Sequence, residues 1–197
     1  MSDLPFPLAG QALRDALRST LAARSRSTLT SVSAQPSAVL LALFEAESDV
    51  YMWLVKRPDT MRRHSGQVAF PGGKMDPEDA SLVDTALREA EEEIGLPRTG
   101  VEVLGALDDL VTGTGFIITP QVAWLTAPFE PTPNPAEVAR VFRAPLRTFT
   151  TRAGGIFPRI GYTIEGEFVW GATFAIARSL GAIAKDTLAS LRSPSPT

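Results

Sequence analysis

Leu13, Leu17 and Leu21 recur every four residues, with Arg14, Asp15 and Arg18 between them, so residues 9–23 read as a short amphipathic helix. A Ser- and Thr-rich stretch over residues 25–37 reads as a linker. Residues 38–44 form an apolar run suited to a buried strand. Residues 50–55 are its expected partner across a polar turn at 45–49. A brief strand is expected over 67–70, ahead of the turn Pro71-Gly72-Gly73. Asp76 then suits a helix N-cap and Pro77 a first helical position. In that helix Val83, Leu87, Ala90 and Ile94 form an apolar stripe, and Gly95 is a natural stop.

Downstream, residues 101–107 and 117–125 read as strands, and four prolines within 128–135 impose a loop. Residues 136–142 fit either strand or helix. Residues 156–164 and 167–170 read as a hairpin turning at Glu165-Gly166, and residues 172–191 carry helical spacing. Strands mixed with two or three helices predict an α/β (α+β) chain, with a mixed sheet sandwiched between helices. The expected organisation is an N-terminal helix and linker over 1–36, one domain over 37–190 and a flexible tail over 191–197.

Composition narrows the chemistry. With 197 residues, 44% hydrophobic and 21% charged, the chain is an ordinary globular one. The net charge of −3 gives no support for non-specific nucleic-acid binding. There is no cysteine, and His64 is the only histidine, so thiolate chemistry, disulfides and multi-histidine metal sites are excluded. Met1-Ser2-Asp3 begins no basic-then-apolar leader and no apolar run is long enough to span a bilayer, so a cytoplasmic protein without a membrane partner is expected.

The densest chemistry lies in Arg88-Glu89-Ala90-Glu91-Glu92-Glu93-Ile94-Gly95-Leu96. Positions i, i+3 and i+4 share a helix face, so Glu89, Glu92 and Glu93 project together while Glu91 points away. Three carboxylates on one face repel each other unless a cation lies among them, and oxygen ligands suit Mg²⁺. A solvated helix surface is the alternative reading for a run of glutamates, and for Glu91 it is the better one.

These residues carry a resemblance. The segment from Gly73 to Leu96 resembles the Nudix box, G-x5-E-x7-R-E-U-x-E-E-x-G-U with U aliphatic. Its second half matches from Arg88 through Leu96. In its first half Asp79 stands where the family has Glu, and one extra residue precedes Arg88. A second segment, Leu54-Val55-Lys56-Arg57 followed by Arg62 and Gly66-Gln67-Val68-Ala69-Phe70-Pro71-Gly72-Gly73, resembles the signature preceding the box in coenzyme A pyrophosphatases. Val55 and Pro58 replace its usual Thr and Ser.

The resemblance implies a Nudix fold over 37–190 and a hydrolase that uses Mg²⁺ or Mn²⁺ to split the diphosphate of coenzyme A or a derivative. The products would be 3′,5′-ADP and 4′-phosphopantetheine or its acyl form. It implies Glu89, Glu92, Glu93 and the Gly73 carbonyl as metal ligands, with Asp79 and Arg88 bracing the box. The general base is Glu89 in some members and a distal residue in others, for which Glu137 is the candidate here. Arg57, Arg62, Phe70, Gly72 and Gly73 are the expected substrate contacts; the guanidinium fork suits phosphate. Two roles stay open for Phe116, core packing or substrate contact, and His64 is favoured as a plain loop residue. The N-terminal helix can pack on the domain, form a homodimer contact or lie free. Two other functions stand beside this one: a pyrophosphatase for ADP-ribose, dinucleotides or nucleoside triphosphates, and a catalytically silent binding module of the same fold.

Overall fold

The computed structural model describes residues 10–31, 33–60, 65–151, 154–156 and 159–192. Arg62, His64 and the tail from Ser193 lie outside them. Three α-helices are described, α1 (Gly10–Ala23), α2 (Leu82–Ile94) and α3 (Gly171–Arg192). The strands are β1 (Gln35–Ala46), β2 (Asp49–Lys56), β3 (Val68–Ala69), β4 (Gly72–Lys74), β5 (Val101–Ala106), β6 (Leu110–Val111), β7 (Phe116–Leu125), β8 (Arg140–Pro145), β9 (Gly154–Ile156), β10 (Arg159–Ile164) and β11 (Glu167–Trp170). A 3₁₀ turn covers Leu146–Thr150.

The main sheet runs β3-β2-β1-β7-β5, with β4 added to β1, β6 to β7 and β8 to β2. β1 and β7 are parallel and the other pairs antiparallel, so the sheet is mixed, as the pattern predicts. Alternation along the strands divides the core in two. Leu41 and Leu43 of β1 with Met52 and Leu54 of β2 face one layer, where Leu13, Leu17, Leu21 and the α3 residues Ile176, Leu180 and Leu188 close over them. Ala38, Leu40 and Ala42 with Trp53 and Val55 face the other layer, covered by Ala86, Ala90 and Ile94 of α2. The sheet therefore lies between helices, and α1 contributes to the same core as α3. No described helix is long and apolar enough to cross a membrane.

Two local expectations need correction. The helix does not start at Asp76. The Asp79 N–H donates to the Asp76 carbonyl at 3.1 Å, and the Asp76 N–H donates to Asp79 Oδ2 at 2.9 Å, so this stretch is a closed turn. Ser81 is the cap instead: its hydroxyl oxygen accepts from the Asp84 N–H at 3.2 Å, and α2 begins at Leu82. The Pro71-Gly72-Gly73 run is also more than a turn, because Gly72–Lys74 pairs with Ser37 to Val39 of β1. At the other end the sequence reads true. Gly95 adopts φ 73°, and the N–H groups of Gly95 and Leu96 donate to the carbonyls of Glu91 and Ala90.

Candidate active site

The site forms where β4 passes under α2. Gly72 and Gly73 are required there by close approach. A Cβ on Gly73 would run into the Glu89 carboxylate, and one on Gly72, at φ 154°, into the β1 backbone at Ala38 and Val39. The two glycines thus bring a bare backbone against the acidic face of the helix. The Gly72 N–H donates to Glu93 Oε2 at 3.1 Å.

Arg88 organises the approach to the helix. Its Nε and Nη2 donate to Oδ1 and Oδ2 of Asp79, both at 3.0 Å, in a bidentate fork. Nη2 also donates to the Lys74 carbonyl at 3.0 Å, tying the helix to β4. Nη1 donates to Glu89 Oε1 and Glu92 Oε2, each at 3.0 Å. The guanidinium holds the Asp79 carboxyl far below the usual carboxylate range. The box departs from its usual pattern by a shorter acid at Asp79 and one extra residue before Arg88, and the brace between Asp79 and Arg88 forms across this interval.

The three aligned glutamates are not equivalent. Glu93 is buried, with 1% of its surface exposed, although the helical pattern places it on an acidic face. Burial pushes its carboxyl up to about 7, against the opposing pull of Arg57 and the Gly72 N–H and with the help of the charges on Glu89 and Glu137. Burial also raises Glu89, opposed by Arg88 and reinforced by Glu92 and Glu137. The Glu92 side chain is 52% exposed and accepts from the Arg88 guanidinium. Glu91 is equally exposed and pairs with Arg98 at 3.2 Å. It faces away, as the spacing predicts.

Glu137 enters this cluster through the proline-rich loop. The Thr132 and Asn134 N–H groups donate to the carbonyls of Ile94 and Glu93, at 2.8 and 2.9 Å, docking the loop on the C-terminal end of α2. The Asn134 side chain and carbonyl then turn the chain, accepting from Ala136, Glu137 and Val138. Glu137 is left half-buried, and its charge acts on both Glu89 and Glu93.

Arg57 stands at the end of the β2–β3 hairpin, where its N–H donates to the Gln67 carbonyl at 3.0 Å. Its Nη2 lies 3.7 Å from Glu93 Oε1. Phe70 was expected to contact substrate; its side chain lies in the core. With 2% of its surface exposed, Phe70 packs in the core layer that α3 covers. Phe116, for which both roles stood open, begins β7 half-buried with the Lys74 ammonium 5.6 Å from its ring centroid.

The donor set suits a hard cation: carboxylates, a backbone segment free of Cβ and, among the described residues, no histidine or cysteine. Among the described residues no three carboxylate or imidazole groups already converge to enclose one ion. The reason is visible in the contacts, since Arg88 draws Glu89 and Glu92 towards itself while Gly72 and Arg57 hold Glu93. A divalent ion would compete with these cationic contacts for the same oxygens, and its charge would offset the burial that, with a smaller share from mutual repulsion, raises Glu89 and Glu93.

Comparison with known proteins agrees with this geometry. The NUDIX domain family matches residues 34–151. The chain is 39% identical over 160 residues to an uncharacterized Nudix hydrolase, NudL, of Yersinia enterocolitica, covering 76% of this chain and 82% of that one. It is 42% identical over 137 residues to NudL of Yersinia pestis, covering 64% and 69%. Among solved structures, the Nudix hydrolase RenU of M. smegmatis superposes with a TM-score of 0.54 at 17% identity, covering 83% of this chain and 89% of that one. A Nudix hydrolase of Alicyclobacillus acidocaldarius gives 0.54 at 21%, covering 81% and 97%. Its fold, its acidic helix and these relatives together establish that the chain belongs to the Nudix hydrolase family.

Proposed function

We propose that this protein hydrolyses the diphosphate of coenzyme A or a coenzyme A derivative, releasing 3′,5′-ADP and 4′-phosphopantetheine or its acyl form. The observation that carries this reading is Arg57, which lies 3.7 Å from the buried Glu93 at the mouth of the hairpin holding the coenzyme A-type signature. A guanidinium beside the acidic helix is positioned to receive phosphate oxygens by two parallel hydrogen bonds. Arg62 belongs to the same proposal from its place in the signature.

Glu89, Glu92, Glu93 and the Gly73 carbonyl are the proposed holders of Mg²⁺ or Mn²⁺. Once bound, such an ion neutralises diphosphate charge and acidifies a coordinated water. The chain's own residues do the rest. Gly72 and Gly73 admit the diphosphate close to the backbone, and Arg57 orients it. Hydrolysis adds one water across the bridge. The water oxygen bonds to one phosphorus, the bond from that phosphorus to the bridging oxygen breaks, and the departing phosphate keeps that oxygen. The proton released by the water passes to a carboxylate, for which Glu89 and Glu137 are the two candidates, both within the cluster. The reading includes a cytoplasmic setting and a small-molecule substrate, with no nucleic-acid or membrane partner.

A substrate panel tests it. Coenzyme A, acetyl-coenzyme A, ADP-ribose, diadenosine tetraphosphate and a nucleoside triphosphate are compared at equal concentration with Mg²⁺ or Mn²⁺. The coenzyme A compounds are expected to give the highest kcat/KM. Preference for any of the other three rejects the substrate assignment, and activity retained in Glu89→Gln or Glu93→Gln rejects the metal assignment.

A further inference from the structure

Lys74 has its backbone inside the site and its side chain outside the glutamate cluster. Its carbonyl accepts from Arg88 Nη2 at 3.0 Å, and its chain neighbour Gly73 abuts Glu89. Its side chain is exposed on a four-carbon stem, and its ammonium has no carboxylate partner among the described residues. What holds the ammonium is the ring of Phe116, 5.6 Å away at the centroid.

The backbone that carries this ring is held in a turn. The Phe116 N–H donates to Thr112 Oγ1 at 3.1 Å, and the Phe116 carbonyl accepts from the Thr112 N–H at 2.9 Å. The Gln35 N–H closes the same turn by donating to the Gly115 carbonyl at 2.9 Å. The Phe116 ring, on a backbone held in this turn, therefore carries a cation with no carboxylate partner among the described residues, one residue beyond the proposed metal-binding carbonyl. A positive charge there, outside the ion pairs that engage Glu89, Glu92 and Glu93, suits a second anionic group on the same substrate.

We propose that Lys74, steadied over Phe116, is a specificity-determining residue that binds a ribose phosphomonoester of the substrate, separate from the diphosphate that is cleaved. This rests on the coenzyme A reading, in which the substrate carries a 3′-phosphate. It adds the residue that distinguishes that substrate from its dephosphorylated counterpart.

Two measurements test it. In the first, KM and kcat are compared for coenzyme A and 3′-dephospho-coenzyme A. Lys74→Met is expected to raise KM for coenzyme A roughly tenfold, the weight of one hydrogen bond to a charged group, with kcat and the KM for dephospho-coenzyme A unchanged. Lys74→Arg is expected to keep the discrimination, and Phe116→Leu to weaken it by a smaller factor. An equal effect of Lys74→Met on both substrates, or none on either, overturns the proposal.

The second measurement needs no turnover. Calorimetric binding of 3′,5′-ADP and of AMP is expected to show a wild-type preference for 3′,5′-ADP that Lys74→Met abolishes; an unchanged preference in that variant overturns the proposal. If the wild type does not cleave coenzyme A yet binds 3′,5′-ADP in this Lys74-dependent way, the substrate reading fails alone. If it cleaves coenzyme A without regard to Lys74, only the present proposal fails.

Discussion

Among single residues, Glu93 departs furthest from what its position in the sequence suggests. The i, i+3, i+4 rule places Glu89, Glu92 and Glu93 on one face but cannot rank them. Their separation into buried, half-buried and exposed groups comes from β4, which the sequence presents only as a glycine turn. The consequence is measurable. The Glu93 carboxyl, ordinarily at 4.5, is pushed up to about 7. Between those values the folded chain holds a proton that the unfolded chain has released, so this group makes stability fall as pH rises from about 4.5 to 7. The penalty above pH 7 is on the order of 3 kcal/mol. In urea titrations without divalent ions, Glu93→Gln is therefore expected to be more stable than the wild type at pH 8, with a shallower slope between pH 5 and 8. A variant that loses stability at pH 8 would show that Glu93 is satisfied as a carboxylate by Arg57 and Gly72 alone. Phe70 makes the converse point. A motif places it beside the substrate, but motif spacing does not say which way a side chain faces, and the core claims it.

On the scale of elements, α2 was legible in its acidic face, its Gly95 stop and the core positions Ala90 and Ile94, because helical periodicity encodes all of these. Its first turn was not. Asp76 and Pro77 are good helix-start residues, but Asp79 turns back to the Asp76 N–H and delays the helix to Leu82. That turn aims Asp79 at Arg88, and Arg88 in turn reaches Lys74, Glu89 and Glu92. Asp79→Asn removes the charge from a nearly buried pair and leaves the guanidinium without its fork. A loss of about 3 kcal/mol is expected, since breaking a buried pair leaves one charge uncompensated. The loss should shrink as pH falls, because the native carboxyl titrates far below its unfolded value and the wild type sheds its own advantage on acidification. Chemical denaturation at pH 7 and pH 3 checks both the size and the trend. Equal losses at the two pH values would show that the turn, and not the ion pair, carries the effect.

For the whole molecule, the sandwich of a mixed sheet between helices followed from strand and helix periodicities, while the place of α1 did not. An isolated amphipathic helix ahead of a polar linker can dock anywhere, and the contacts that fix this one lie some 80 residues away. Arg14 and Arg18 meet Glu102, Arg24 meets Asp108 and Arg26 meets Asp109, while the N–H groups of Ser27 and Leu29 donate to Asp108 and Asp109. Partly exposed ion pairs of this kind contribute about 0–1 kcal/mol each, so the three buried leucines carry most of the docking. Leu17, fully buried, is the sharpest probe: Leu17→Ala is expected to cost about 2–5 kcal/mol of global stability in a single unfolding transition. A separate early transition, with the main one unmoved, would show that α1 folds apart from the sheet.

In the proposed reaction the acidic helix and the Arg57 hairpin act together on coenzyme A. The most direct test is chromatographic detection of 3′,5′-ADP after incubation of the full chain with coenzyme A, with and without Mg²⁺ or Mn²⁺, alongside Glu93→Gln. Stoichiometric 3′,5′-ADP and 4′-phosphopantetheine are expected with the wild type and divalent ion, and a loss of at least a hundredfold, about 3 kcal/mol of transition-state stabilisation, in Glu93→Gln or on chelation. No 3′,5′-ADP from coenzyme A, its acyl forms or its disulfide, with the same preparation active on another diphosphate, would contradict it.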